Sequence, residues 1–124
     1  MYHFMNFLLV FIGGGLGCVT RYQIGLWLQK TTGSLPWATF AANVSACMIF
    51  AIILWFSSFK LINQPTLTLL LLTGFCGGLS TFSSFGYETF LLFKQGYQFY
   101  AFLNIIFNTS ICILIFYVAL QKLN

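Results

Sequence analysis

Fifteen residues, Gly74 to Glu88, read GFCGGLSTFSSFGYE and gather four glycines, five hydroxyls and the only acidic side chain of the protein. Such residues handle ions. Hydroxyl and amide donors replace the water shell of an anion, whereas unwound backbone carbonyls receive a cation. The donors extend beyond this stretch: the amides of Asn43, Asn104 and Asn108, the hydroxyl of Thr39 and the guanidinium of Arg21 join Ser80, Thr81, Ser83 and Ser84. That bias favours a small anion. Phe82 and Phe85, three residues apart, share one helix face; their weakly positive ring edges can line an anion path, although periodicity alone favours simple packing.

Catalysis has no foothold here. His3 is the only histidine and Glu88 has no second carboxylate, so acid/base pairs, metal centres and Ser/His/Asp arrangements are lacking and the chain reads as no enzyme. Glu88 balances Arg21 or binds a neighbouring hydroxyl or amide, with a one-carboxylate proton relay as the functional alternative. Cys18, Cys47, Cys76 and Cys112 fall singly in different apolar segments without a CxxC or Cys/His pattern, and read as small packing residues. The five Lys and Arg are scattered, and no cluster suited to reading phosphates arises, which argues against nucleic acid as a partner.

The elements that carry these residues must cross a bilayer. The chain is 60% hydrophobic and 5% charged, against roughly a quarter charged in soluble domains. At about 20 apolar residues per span, nearly all of its 124 residues are consumed by four crossings in one membrane domain, residues 1–124. The predicted spans are 4–28, 37–59, 66–93 and 99–120. The first lacks a charged n-region and a clear cleavage site, and reads as a retained span rather than a cleaved signal. It holds Gly13 and Gly17, a GxxxG spacing that admits a close helix neighbour. It also holds Arg21, which must snorkel to the interface or find a partner.

The second span opens on a small and polar face, Thr39, Ala42, Asn43 and Ala46. Asn43 reads as helix glue or as a ligand contact, with glue favoured by spacing alone. The third span is predicted to break near Gly77 to Ser80, since glycines and hydroxyls at membrane depth require protein or a polar cavity around the freed backbone. In the fourth span Asn104 and Asn108 are four apart and stack on one face. Turns are expected at Lys30 to Leu35, Lys60 to Pro65 and Lys94 to Gln98.

Loop charges add a topological expectation. The side holding the N-terminus receives Lys60 and Lys122, and the other side receives Lys30 and Lys94. With no Lys/Arg excess on either side, nothing orients the chain. It can insert both ways and pair with an inverted copy, so an antiparallel homodimer is expected.

The motifs resemble those of the Fluc (CrcB-like) family of fluoride channels, small four-span proteins that assemble as dual-topology dimers. The likeness covers essentially the whole chain: GGGLGCVTRY in the first span, ATFAANVSA in the second (family GTLxVNxxG), GFCGGLSTFSSFGYE in the third (family GFCGGLTTFSTFxxE) and LNIIFN in the fourth (family LNVxxN). The third-span motif is highly specific, the other glycines much less so. The resemblance implies a passive, fluoride-selective channel in the plasma (inner) membrane of a prokaryote. Asn43 matches the pore asparagine, Phe82 and Phe85 the phenylalanines whose edges line the fluoride path, and Ser83 and Ser84 the adjoining hydroxyls. Arg21 matches a basic residue near the pore mouth and Glu88 an acid beside it. Gly77 and Ser80 match positions whose backbone carbonyls hold a structural sodium ion at the dimer interface.

Ser80 and Ser84 stand where the family has threonine; backbone ligation at Ser80 survives, while Ser84 loses a methyl that stiffens the rotamer. An interior-negative potential drives anion exit with about 2.3 kcal/mol per 100 mV, so such a pore needs no fuel-binding domain. A proton-coupled small multidrug exporter, also a four-span dual-topology dimer, is the main alternative; such exporters resemble one another in a first-span glutamate, which this first span lacks. A purely structural subunit packed through GxxxG faces leaves the donor-rich face unexplained.

Overall fold

The computed structural model describes residues 2–29, 35–57 and 65–121. Helix α1 spans Tyr2–Leu28 and α2 spans Trp37–Ser57. The third crossing is composite: a single turn α3, Pro65–Leu67, leads into a π-helical stretch, Thr68–Cys76, then a turn α4, Gly77–Leu79, and finally α5, Phe82–Lys94. Helix α6 spans Gln98–Gln121. Four helical segments, His3–Leu28, Trp37–Phe56, Pro65–Lys94 and Gln98–Gln121, are long and apolar enough to cross a membrane. These match the four predicted crossings to within a few residues. The predicted turns at Lys30 to Leu35 and Lys60 to Pro65 fall mostly, and Lys122 wholly, outside the described residues. At the third turn Gly96 takes φ 83°, a left-handed conformation that favours glycine.

Helix α1 lies against the first half of the third crossing, while α2 and α5 both pack on α6. Glycine makes the first of these contacts possible. A Cβ on Gly13 would collide with the carbonyl oxygen of Leu70, one on Gly17 with that of Phe75, and one on Gly78 with that of Gly14. A Cβ on Gly74 would sit 3.0 Å from Cα of Gly13. The predicted Gly13/Gly17 pair therefore meets a second pair, Gly74 and Gly78, which has the same four-residue spacing on the opposing strand of chain. Between helices in lipid, dispersion contacts of this kind supply the attraction that the hydrophobic effect does not.

Small side chains continue the theme inward. Ala42 and Ala46 of α2 bury against Leu79, with Ile24, Ile49 and Phe75 packed around them. The outer surface is apolar and open, from Phe7 and Phe11 on α1 to Ile113 and Tyr117 on α6, as a lipid-facing wall must be.

Replacing Gly17 or Gly78 by valine forces backbone apart and should lower stability by about 1–3 kcal/mol or more. Gly15→Ala, at a position where a Cβ meets nothing within 4 Å, should leave it unchanged. Thermal unfolding of the purified variants in detergent checks the contrast, and equal losses at all positions would contradict the interlocked packing.

Candidate functional site

The predicted break is present, and its extended residues are Ser80 (φ −76°, ψ 154°) and Thr81 (φ −151°, ψ 114°). Gly77 keeps helical dihedrals, φ −63° and ψ −38°; the glycines of this stretch serve close approach more than they bend the chain. What restarts the helix is a capping hydroxyl, since Thr81 Oγ1 accepts from the Ser84 amide at 3.2 Å.

An interrupted helix inside a membrane exposes peptide groups that need partners, and Asn43 supplies them. Its Oδ1 accepts from the Thr81 amide at 2.8 Å, while its Nδ2 reaches the Thr81 carbonyl at 3.4 Å and donates to Asn108 Oδ1 at 3.1 Å. The relay continues across the bundle: Asn108 Nδ2 donates to Asn104 Oδ1 at 2.8 Å, Asn104 Nδ2 to Thr89 Oγ1 at 2.9 Å, and Thr89 Oγ1 to the Phe85 carbonyl at 2.7 Å. Asn104 and Asn108 are stacked as their spacing predicts. Asn43 acts as helix glue here, and what it glues is the backbone of the break.

Four carbonyls lose their usual helical donors at the break. In a continuous helix the Thr81 amide would close on the Gly77 carbonyl and the Ser84 amide on that of Ser80; both are diverted, to Asn43 and to the Thr81 hydroxyl. The Gly78 carbonyl is taken by Arg21 Nε at 3.2 Å, which resolves how a guanidinium is accommodated in α1. Leu79, the fourth residue, lies buried in the core. Gly77 and Ser80 are left as oxygen acceptors, and a Cβ on Gly77 would meet nothing within 4 Å. Such hard carbonyl oxygens fit an alkali cation. Among the described residues no group of three or more His, Cys, Asp or Glu is placed to hold a metal.

Two cavities flank Thr81. One, about 320 Å³, is walled by Asn43, Ser80, Thr81, Phe82, Phe85 and Asn108 together with Cys47 and Cys112. The other, about 440 Å³, contains Arg21, Tyr22, Thr39, Thr81, Ser84 and Glu88 in its wall. Glu88 is held by a hydroxyl rather than by Arg21: Thr39 Oγ1 donates to its Oε1 at 2.7 Å. Its other oxygen, Oε2, is enclosed without a hydrogen-bond partner among the described residues. The Phe82 and Phe85 rings stand 5.6 Å apart at 51°, and Phe82 is 83% exposed in the single chain.

Most of the sequence-derived residues lie around Thr81, whereas Gly77 is in the wall of neither cavity. Asn43, Phe82 and Phe85 share the first cavity; Arg21, Ser84 and Glu88 share the second; Ser83, which is exposed, touches the junction through a 3.2 Å contact with the Thr81 hydroxyl. Sequence reasoning did not single out Thr89 or the coupling of Asn43 to Asn108. A lone threonine on an apolar helix carries no signal until its partner amide is placed beside it.

Comparison with known proteins agrees with this architecture. Residues 8–120 match the family described as CrcB-like protein, Camphor Resistance (CrcB). The chain is similar to the fluoride-specific ion channel FluC of Geotalea daltonii, 37% identical over 107 residues that cover 84% of this chain and 86% of the relative. It is also similar to the protein of that name from Klebsiella pneumoniae, 44% identical over 100 residues, 80% of this chain and 78% of the relative.

Asn108→Leu removes the acceptor of Asn43 and the donor to Asn104 in one step. It should destabilise the protein by about 1–2 kcal/mol, read from detergent-titrated unfolding. An unchanged midpoint would mean that the amide relay does not hold the break.

Proposed function

Because the chain belongs to the CrcB-like family, we propose that it is a fluoride-specific, passive ion channel that carries fluoride out of the cell along the membrane potential and so relieves fluoride toxicity. It is a channel and not an enzyme. The observation that carries this reading is the junction at Thr81, where a polar cavity holding Arg21, Thr39, Ser84 and Glu88 meets a cavity walled by Asn43, Phe82 and Phe85. A small anion entering the first is attracted by the Arg21 guanidinium and can exchange hydration for hydroxyl donors. In the second it meets aromatic rings, whose edges are weakly positive, and for the Asn43 amide to reach it one hydrogen must be released from Thr81 or Asn108.

An antiparallel homodimer is part of the proposal. Phe82 is almost fully exposed and Gly77 lies open in the single chain, so the broken face that carries the polar groups calls for a cover, and the cover in this reading is a second, inverted copy. With the carbonyls of Gly77 and Ser80 from each copy turned to a shared axis, a sodium ion is the fitting occupant. Bound there, it would supply positive charge that neutralises the carbonyl dipoles and ties the two breaks together. The setting is the inner membrane of a prokaryote, crossed several times by each chain.

In proteoliposomes under a clamped potential, fluoride efflux should far exceed chloride efflux; absence of fluoride efflux from well-folded protein would overturn the assignment. Phe82→Ile and Asn43→Asp should each depress the flux strongly, by about one to two orders of magnitude if the donor and ring edges act at a constriction. Unchanged flux in both would move the path elsewhere. Gly77→Leu should abolish the dependence of flux or of dimer stability on sodium, and a variant whose sodium response is intact would remove the cation from this position.

A further inference from the structure

The cavity walled by Phe82 and Phe85 contains two thiols that neither the break nor the amide relay employs. Cys47 of α2 and Cys112 of α6 both line it and both are free, each one turn beyond the 3.1 Å contact of Asn43 with Asn108 that sets these two helices face to face. The two residues are 65 positions apart in sequence, and only the packing of α2 on α6 brings them together. They sit one helical turn from Asn43 and Asn108 respectively, on the faces those amides already present to the cavity.

We propose that Cys47 and Cys112 form a two-thiol site for a soft, linearly coordinated divalent cation, and that its occupation plugs the phenylalanine-lined cavity. Ligand number selects the class. Among the described residues no third His, Cys, Asp or Glu completes a set, so zinc, which takes four ligands in structural sites, is excluded in favour of a cation content with two sulfurs. Softness follows from the thiols, which prefer polarisable metals over hard ones. Charge selects the oxidation state. On binding, two S–H bonds break, two metal–sulfur bonds form, and two protons leave toward the polar cavity, with no change of redox state. A divalent ion then forms a neutral bis-thiolate, whereas a monovalent one leaves a net negative charge in a low-dielectric wall, where an unpaired charge is costly.

The plug rests on the reading of this cavity as the anion path, whereas the binding does not, and the test separates them. Mercuric chloride is the probe. The protein carries Cys18→Ser, because Cys18 is exposed on α1; Cys76 is 97% shielded and lies outside the cavity wall. One mercuric ion per chain should protect both remaining cavity thiols from maleimide and produce the ultraviolet sulfur-to-metal band. Fluoride efflux should fall about tenfold, as expected for a filled constriction, and dithiothreitol should restore it. Cys47→Ser and Cys112→Ser, each compared with its own untreated flux, should each lose the one-to-one stoichiometry and the block at the same mercury concentration. Two mercuric ions per chain, or either serine variant blocked as readily as the parent, would overturn the shared site. Thiol protection without loss of flux would overturn the plug. Protein that passes no fluoride before mercury is added would overturn the anion-path reading alone, since thiol protection still decides whether the site forms.

Discussion

A peptide group inside a bilayer has no water to turn to, and the hydrogen bonds from Asn43 to the backbone of Thr81 meet that constraint. The third crossing is interrupted where hydrocarbon would punish interruption most. One side chain from α2 offers both an acceptor and a donor at the point where the helix lacks them. The orientation of that amide is not free, because its second hydrogen is held by Asn108, which is itself held by Asn104. An extended pair of residues thereby becomes a fixed feature of the fold.

The break also shapes the neighbouring chemistry. Diverting the amides of Thr81 and Ser84 strips the donors from the carbonyls of Gly77 and Ser80, which stay available as acceptors, while the Gly78 carbonyl goes to Arg21. Acceptors and donors are thus sorted within a few residues. The oxygens cluster before the break; the hydroxyls, amide and rings lie at and after it, around Thr81. Such sorting keeps the free carbonyl oxygens and the hydroxyl and ring groups on different atoms of one short segment.

Interlocked glycines make this arrangement sturdy enough to hold. Gly13 and Gly17 admit the backbone of Leu70 and Phe75, and Gly14 receives Gly78 in return. With α1 pressed this close, the Arg21 side chain comes within reach of the Gly78 carbonyl. A wider spacing would leave a guanidinium in the span without its partner. The packing of α1 and the electrostatics of the break are therefore one feature, and a bulkier residue at either pair would disturb both.

Much of this is legible in the sequence. Four apolar runs, a GxxxG in the first, a glycine- and hydroxyl-rich interruption in the third, and asparagines at helical spacing follow from periodicity and from the intolerance of hydrocarbon for unpaired polar groups. The pairings are not legible. Gly74 and Gly78 form a second GxxxG whose partner is a matter of which helix lies opposite, and Glu88 chose the Thr39 hydroxyl over Arg21 because α2 brings Thr39 to 2.7 Å. Cys47 and Cys112 read as isolated packing residues for the same reason. Local sequence determines which groups each helix must satisfy within lipid; only tertiary packing, by setting distances between helices far apart in the chain, decides which partner satisfies them.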